Sequence, residues 1–167
     1  MKPTYILANA DSRLHADIMM IRLRRSGVNI DRISAIFSRR FVPNSFFFWL
    51  RRPRKVRSTE SGESFFAAGP LRTVFGKDDT VDSLRDKLLD LGFDHHAADH
   101  FAQSLWLGHA VLCVKAKDSD EAAVAWHIFQ HSRAETVAIS GLPSHRAIAV
   151  SHDVPLSHAW MPAAVAA

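Results

Sequence analysis

The sequence predicts an α+β fold, a split βαβ sandwich built on a four-stranded antiparallel sheet. Two observations carry this. From His109 to Ser140 the chain reads strand (His109 to Ala116), helix (Ser119 to His131), strand (Glu135 to Ser140). The same order occurs near the N-terminus, in Tyr5 to Ala10, Ser12 to Arg25 and Arg32 to Ser38. Two such units in one short domain predict a ferredoxin-like arrangement, with the intervening chain looped out as an insertion. The expected domain spans residues 1–141, with an inserted basic and aromatic loop and helix pair at 39–108, and residues 142–167 form a C-terminal extension.

Taken in order, Tyr5 to Ala10 is apolar enough for an interior strand. Asp11 or Ser12 then accepts the free N–H groups of a helix start. In that helix Leu14, Ile18 and Ile21, with Met20 and Leu23, fall at three- and four-residue spacing and predict one inward stripe. Arg22, Arg24 and Arg25 suit the negative end of the helix dipole, and Gly27 closes it. Ile33, Ala35 and Phe37 alternate with Ser34, Ile36 and Ser38 as a strand.

The segment Arg39 to Asp79 breaks the pattern. It holds turn formers, the run Phe46-Phe47-Phe48-Trp49-Leu50, and a polar loop from Ser58 to Glu63. Ala67 to Leu71 reads as a turn into another short element. Thr80 to Leu91 predicts a helix with Val81, Leu84, Leu88 and Leu91 inward, stopped by Gly92. Asp94 caps a second helix, His95 to Leu107, with Ala98, Phe101, Ala102 and Leu105 toward the core. His109 to Ala116 is the clearest strand. Asp118 to Asp120 start a helix that turns Ala122, Ala125, Trp126 and Phe129 inward. Arg146 to Ser151 reads as an added edge strand. Trp106 is placed to cover an edge of the sheet, while Trp160, in a Pro-flanked tail, needs a surface to lie on.

The 167 residues are 47% hydrophobic and 23% charged, which predicts one globular domain with a real core. The net charge of +4 is unevenly spread: Met1 to Arg57 carries +10 and the remainder −6. That asymmetry points to an anionic partner or to self-association of unlike faces. The single cysteine, Cys113, lies mid-strand and reads as a small buried hydrophobe. The apolar run after Pro3 is too short for a secretory signal, and no run approaches the roughly 18 residues of a spanning helix. The expected location is cytoplasmic, with peripheral membrane association as an alternative.

At Ala68-Gly69-Pro70-Leu71, Leu88 to Gly92, and Leu105-Trp106-Leu107-Gly108-His109-Ala110-Val111-Leu112-Cys113-Val114, the chain resembles the YflT-type heat-induced, or general, stress protein domain and its uncharacterised bacterial relatives. The likeness covers roughly Thr4 to Ser140. It implies a ferredoxin-like fold and a link to stress response, and it implies no reaction or catalytic residue. Relatives have a Gly/Ala-rich, membrane-like centre where this chain has its Phe/Trp- and Arg-rich segment.

The sharpest local feature is Phe46, Phe47, Phe48 and Trp49 followed by Arg51, Arg52, Arg54, Lys55 and Arg57. Such a wedge beside cations suits an anionic membrane surface, or nucleic acid, where cations meet phosphate and rings stack on bases. The alternative is aromatics packed under the domain or in a dimer interface, with the arginines as a solvated rim. His96 and His100, four apart on one helix face with Asp99 adjacent, are weak metal candidates, as are His127 and His131; two ligands do not make a site, so no metal or cofactor is assigned. No Gly-x-Ser-x-Gly elbow, Gly-rich phosphate loop or Cys-x-x-Cys is present. The functional expectation is a non-enzymatic, stress-related or regulatory domain acting through self-association or protein and effector contacts. The alternative is a peripheral binder of anionic membrane or nucleic acid through Phe46 to Arg57. A homo-oligomer is expected because a four-stranded sheet with its βαβ helices on one side leaves the other face to be covered by the inserted helices or by a second copy.

Overall fold

Among the described residues, six strands and four α-helices build an α+β fold of three layers. The computed structural model describes residues 2–38, 41, 53–59, 61–75 and 79–143. The strands are β1 (Thr4–Ala10), β2 (Ile33–Ser38), β3 (Arg54–Arg57), β4 (Ser64–Ala68), β5 (Ala110–Ala116) and β6 (Val137–Ile139). The helices are α1 (Arg13–Arg25), α2 (Leu84–Asp90), α3 (His95–Trp106) and α4 (Ser119–His131). The sheet runs β3-β4-β2-β5-β1-β6, with every neighbouring pair antiparallel.

The first and third expected strands are neighbours, with Leu7 opposite Cys113. The sheet is nevertheless not four-stranded. Two further strands, from a stretch the sequence reads as loop and turn, form a hairpin that extends the β2 side, with Phe37 opposite Phe66.

Period-2 alternation assigns each strand residue to one of two cores. Ile6, Ala8, Ile33, Ala35, Phe37, Leu112 and Val114 meet Met19, Met20 and Leu23 of α1 and Ala125, Trp126 and Phe129 of α4. Leu7, Ile36, Phe65, Ala67, Val111 and Cys113 meet Leu84 and Leu88 of α2 and Ala98, Phe101 and Leu105 of α3. The inserted helices therefore cover the sheet face opposite α1 and α4. Arg85 of α2 pairs with Asp99 of α3 and ties the two together.

Local chemistry explains the helix starts. Ser12, Asp94 and Asp118 each accept the N–H three residues on, from His15, Ala97 and Glu121. The Glu121 carboxylate also accepts from the N–H of Lys117, the residue ahead of the cap, at 2.7 Å.

One face assignment holds in part: Met20 and Leu23 of the expected stripe are buried, but Leu14, Ile18 and Ile21 are not. In α1 the buried residues are Ala16, Met19, Met20 and Leu23, whereas Leu14 is 69% exposed and Ile18 and Ile21 are each 37% exposed. The helix carries two apolar faces. The sheet takes the one with small Ala16 and adaptable methionines, which permit close approach and fill irregular gaps. Among the described residues no helix is long and apolar enough to cross a membrane. Residues 146–151 and Trp160, the expected edge strand and tail tryptophan, lie outside the described residues.

Candidate functional site

Among the described residues strand β3 is the last strand of the sheet on its side, and it carries the described part of the basic segment. Phe46, Phe47, Phe48, Trp49, Arg51 and Arg52 lie outside the described residues. Within β3, Val56 is buried in the α2/α3 core, so Lys55 and Arg57 project from the opposite face, and both are exposed. Arg54 is engaged structurally: its guanidinium donates to the Phe75 carbonyl at 2.9 Å. Neither Lys55 nor Arg57 forms an ion pair among the described residues.

Register places an aromatic row beside these cations. Lys55 lies opposite Phe66 of β4, and Phe66 lies opposite Phe37 of β2. Directly opposed residues share a face. Phe66 is half-buried and stacks on Phe37 with ring centroids 5.8 Å apart, and Phe37 in turn meets Phe41 at 6.3 Å. Arg57 stands opposite Ser64 in the next row. The face thus offers two cations about 7 Å apart on one extended strand, next to a partly exposed ring.

The described start of the β3–β4 loop is tied to the chain ahead of α2. Asp82, just ahead of α2, accepts from the Ser58 hydroxyl at 3.0 Å and from both the N–H and the hydroxyl of Thr59 at 2.8 Å. Partial burial alone would raise the Asp82 pKa, but these donors more than offset it and hold the carboxyl below its usual range.

A second cluster gathers where α3, the start of β5 and the start of β6 meet. His96 is exposed and His100 is half-buried on α3; His109 precedes β5, and Glu135 precedes β6. Asn9, 1% exposed, accepts from the Thr136 N–H at 3.0 Å and donates to Glu135 at 3.2 Å. Nε2 of His100 and Nδ1 of His109 are buried, with no hydrogen-bond partner among the described residues. Among the described residues no three His, Cys, Asp or Glu side chains are grouped to hold a metal ion. The His127 and His131 rings lie tilted with centroids 4.2 Å apart, and His131 Nδ1 bonds the His127 carbonyl.

Burial chiefly, then like charge on His96 and His109, holds the His100 imidazole below its ordinary value against the pull of Glu135. His100 therefore binds fewer protons folded than unfolded. The stability from its neutral form is complete above the ordinary imidazole value of about 6.5 and is lost as pH falls through it toward the lowered folded value. The urea midpoint is expected to drop as pH falls below the ordinary imidazole value of about 6.5, and His100→Gln to flatten that drop. An unchanged pH profile in the variant would exclude His100 as its source.

Lys55 and Arg57 were visible in the sequence as a charge run. Phe66, His109 and Glu135 were not, because only strand register and packing bring them to their partners. Cys113 is fully buried beside Val111, and burial pushes its thiol up, far from a reactive thiolate. Comparisons with protein-family models, curated proteins and solved structures find no match to this chain.

Proposed function

We propose that this chain is a non-enzymatic regulatory module that works through macromolecular contacts, and that its β3 edge binds single-stranded nucleic acid. The observation that carries the reading is the row Lys55–Phe66–Phe37 with Arg57 beside it. Cations at one extended-strand repeat meet successive phosphates, and a half-exposed ring offers a stacking platform for a base. Arg51 and Arg52, which precede β3 in the chain, add to the same charge. An anionic membrane is the second reading, favoured by the apolar run Phe46 to Leu50 ahead of those arginines. A place in stress response rests on the family resemblance.

The frame for this edge is, in our reading, a ferredoxin-like unit of β6-β1-β5-β2 with α1 and α4 on one face. The antiparallel order and the two strand–helix–strand crossovers support it. The β3–β4 hairpin and the α2/α3 layer are then additions to that unit.

Fluorescence anisotropy with a labelled single-stranded oligonucleotide tests the proposal at about 50 mM salt and upward. Affinity is expected to fall steeply with salt. Lys55→Glu with Arg57→Glu should weaken binding at least tenfold and reduce the salt slope by about 0.7 per lost phosphate contact. Phe66→Leu should weaken binding with the slope unchanged. Absence of binding at low salt, or binding to phosphatidylserine vesicles alone, would overturn the nucleic-acid reading.

A further inference from the structure

We infer that the outer face of α1 is a self-association surface, on which a second copy of this chain docks through its own α1 in an antiparallel, two-fold arrangement. This inference is independent of the β3 edge.

The starting point is the part of the apolar stripe of α1 that the sheet does not cover. Leu14, Ile18 and Ile21 follow the i, i+4, i+7 spacing of one helical stripe, about 10 Å long. All three are exposed, at 69%, 37% and 37%. The helix already buries Ala16, Met19, Met20 and Leu23 on its other side, so this stripe is surplus to the fold. The neighbouring α4 adds Val124, 38% exposed. Arg22 fixes α4 beside α1 by donating to the His131 carbonyl at 2.8 Å and to the Ser132 hydroxyl at 3.1 Å. Among the described residues six large hydrophobic side chains stand exposed, and these four share the α1/α4 layer. The contiguous stripe of Leu14, Ile18 and Ile21 marks an interaction surface, where scattered single residues would not.

Charge selects the occupant. Just ahead of the helix stands Asp11, exposed and hydrogen-bonded to His15 at 2.9 Å, and the stripe ends at exposed Arg25. Running a second α1 antiparallel sets Ile18 against Ile18 and Leu14 against Ile21. The same register brings Asp11 of each copy to Arg25 of the other. Opposed helix dipoles add to the match. A parallel partner would oppose like charges at both ends. The surface is therefore complementary to itself under a two-fold axis, the geometry of an isologous dimer.

Sedimentation equilibrium of the full chain, from micromolar to submillimolar concentration, tests this against the 18.7 kDa monomer mass. A concentration-dependent dimer is expected. Ile18→Asp should leave a monomer with unchanged circular dichroism; if it fails to fold, Leu14→Lys, at the most exposed position of the stripe, should give the same result. Arg25→Glu should weaken the dimer at least tenfold by opposing two acids. Combining it with Asp11→Arg should recover most of that loss, a rescue that a merely structural defect would not show. A monomer at every concentration, a dimer that survives Ile18→Asp, or a double variant as weak as Arg25→Glu alone would each overturn the inference.

Discussion

Gly69→Ala is expected to destabilise the fold by about 3–5 kcal/mol, combining backbone strain with a steric collision. Gly69 ends β4 with φ +75°, where an L side chain is strained on its own account. The added Cβ would stand 2.1 Å from the Ile33 carbonyl oxygen and 2.7 Å from the Ser34 Cα. Both are backbone atoms of β2, so no rotamer change relieves the contact. Moving the turn away costs the buried bond from the Leu71 N–H to the Ser34 hydroxyl, 3.0 Å long, and pulls Leu71 from the core. It also strains the pairing of Ala68 with Ala35. Gly62→Ala is the internal comparison. Its φ is +67°, but nothing lies within 4 Å of the new Cβ, so about 1 kcal/mol is expected there. Urea denaturation of both variants checks this, and a Gly69→Ala loss below that of Gly62→Ala would refute the collision argument.

The same position shows why parts of the fold were legible in sequence and others were not. The Ala-Gly-Pro segment reads as a turn from its residues alone, but the backbone it must clear lies more than thirty positions earlier. Strands β1 and β5 are buried along nearly their whole length, so a continuous apolar run identifies them. Helix α4 has a single apolar face and its caps are local. In α1 two apolar faces compete, and periodicity alone cannot say which one the sheet accepts. Strand β3 has one inward residue, Val56, among three cations. Charge on a short edge strand protects it from unwanted pairing and at the same time erases the strand signal. Strand β4 is hidden between Gly62 and Gly69-Pro70, where turn chemistry dominates the reading.

Function followed the same division. The charge run around Arg54 to Arg57 is a local property and was visible. That Arg54 is held by the Phe75 carbonyl, while Lys55 and Arg57 share a face with Phe66, depends on register across three strands. The His96/His100 pair is likewise local, whereas His109 and Glu135 join it only through the packing of α3 over β5 and β6.

Phe101→Ala is expected to cost about 3–5 kcal/mol, the range for truncating a buried phenylalanine that leaves a cavity. Phe101 is 0% exposed and packs in the α2/α3 core with Leu7, Ile36, Val111 and Cys113 of the sheet. For a chain of this size the melting temperature should fall by roughly 10 °C. Leu107→Ala, one residue past the end of α3 and 68% exposed, should change stability by less than about 0.5 kcal/mol. The concentration dependence of the Phe101→Ala loss is the decisive observation. If α3 covers the sheet within one chain, the loss is the same at every protein concentration. Had a second copy covered that face, truncation would weaken association, and the loss would vary with concentration by mass action. Melts of Phe101→Ala and the parent chain across a hundredfold concentration range separate the two cases. An effect that shrinks on concentrating the protein would remove α3 from its place over the sheet, and any effect below about 1 kcal/mol would show that Phe101 is not in the core.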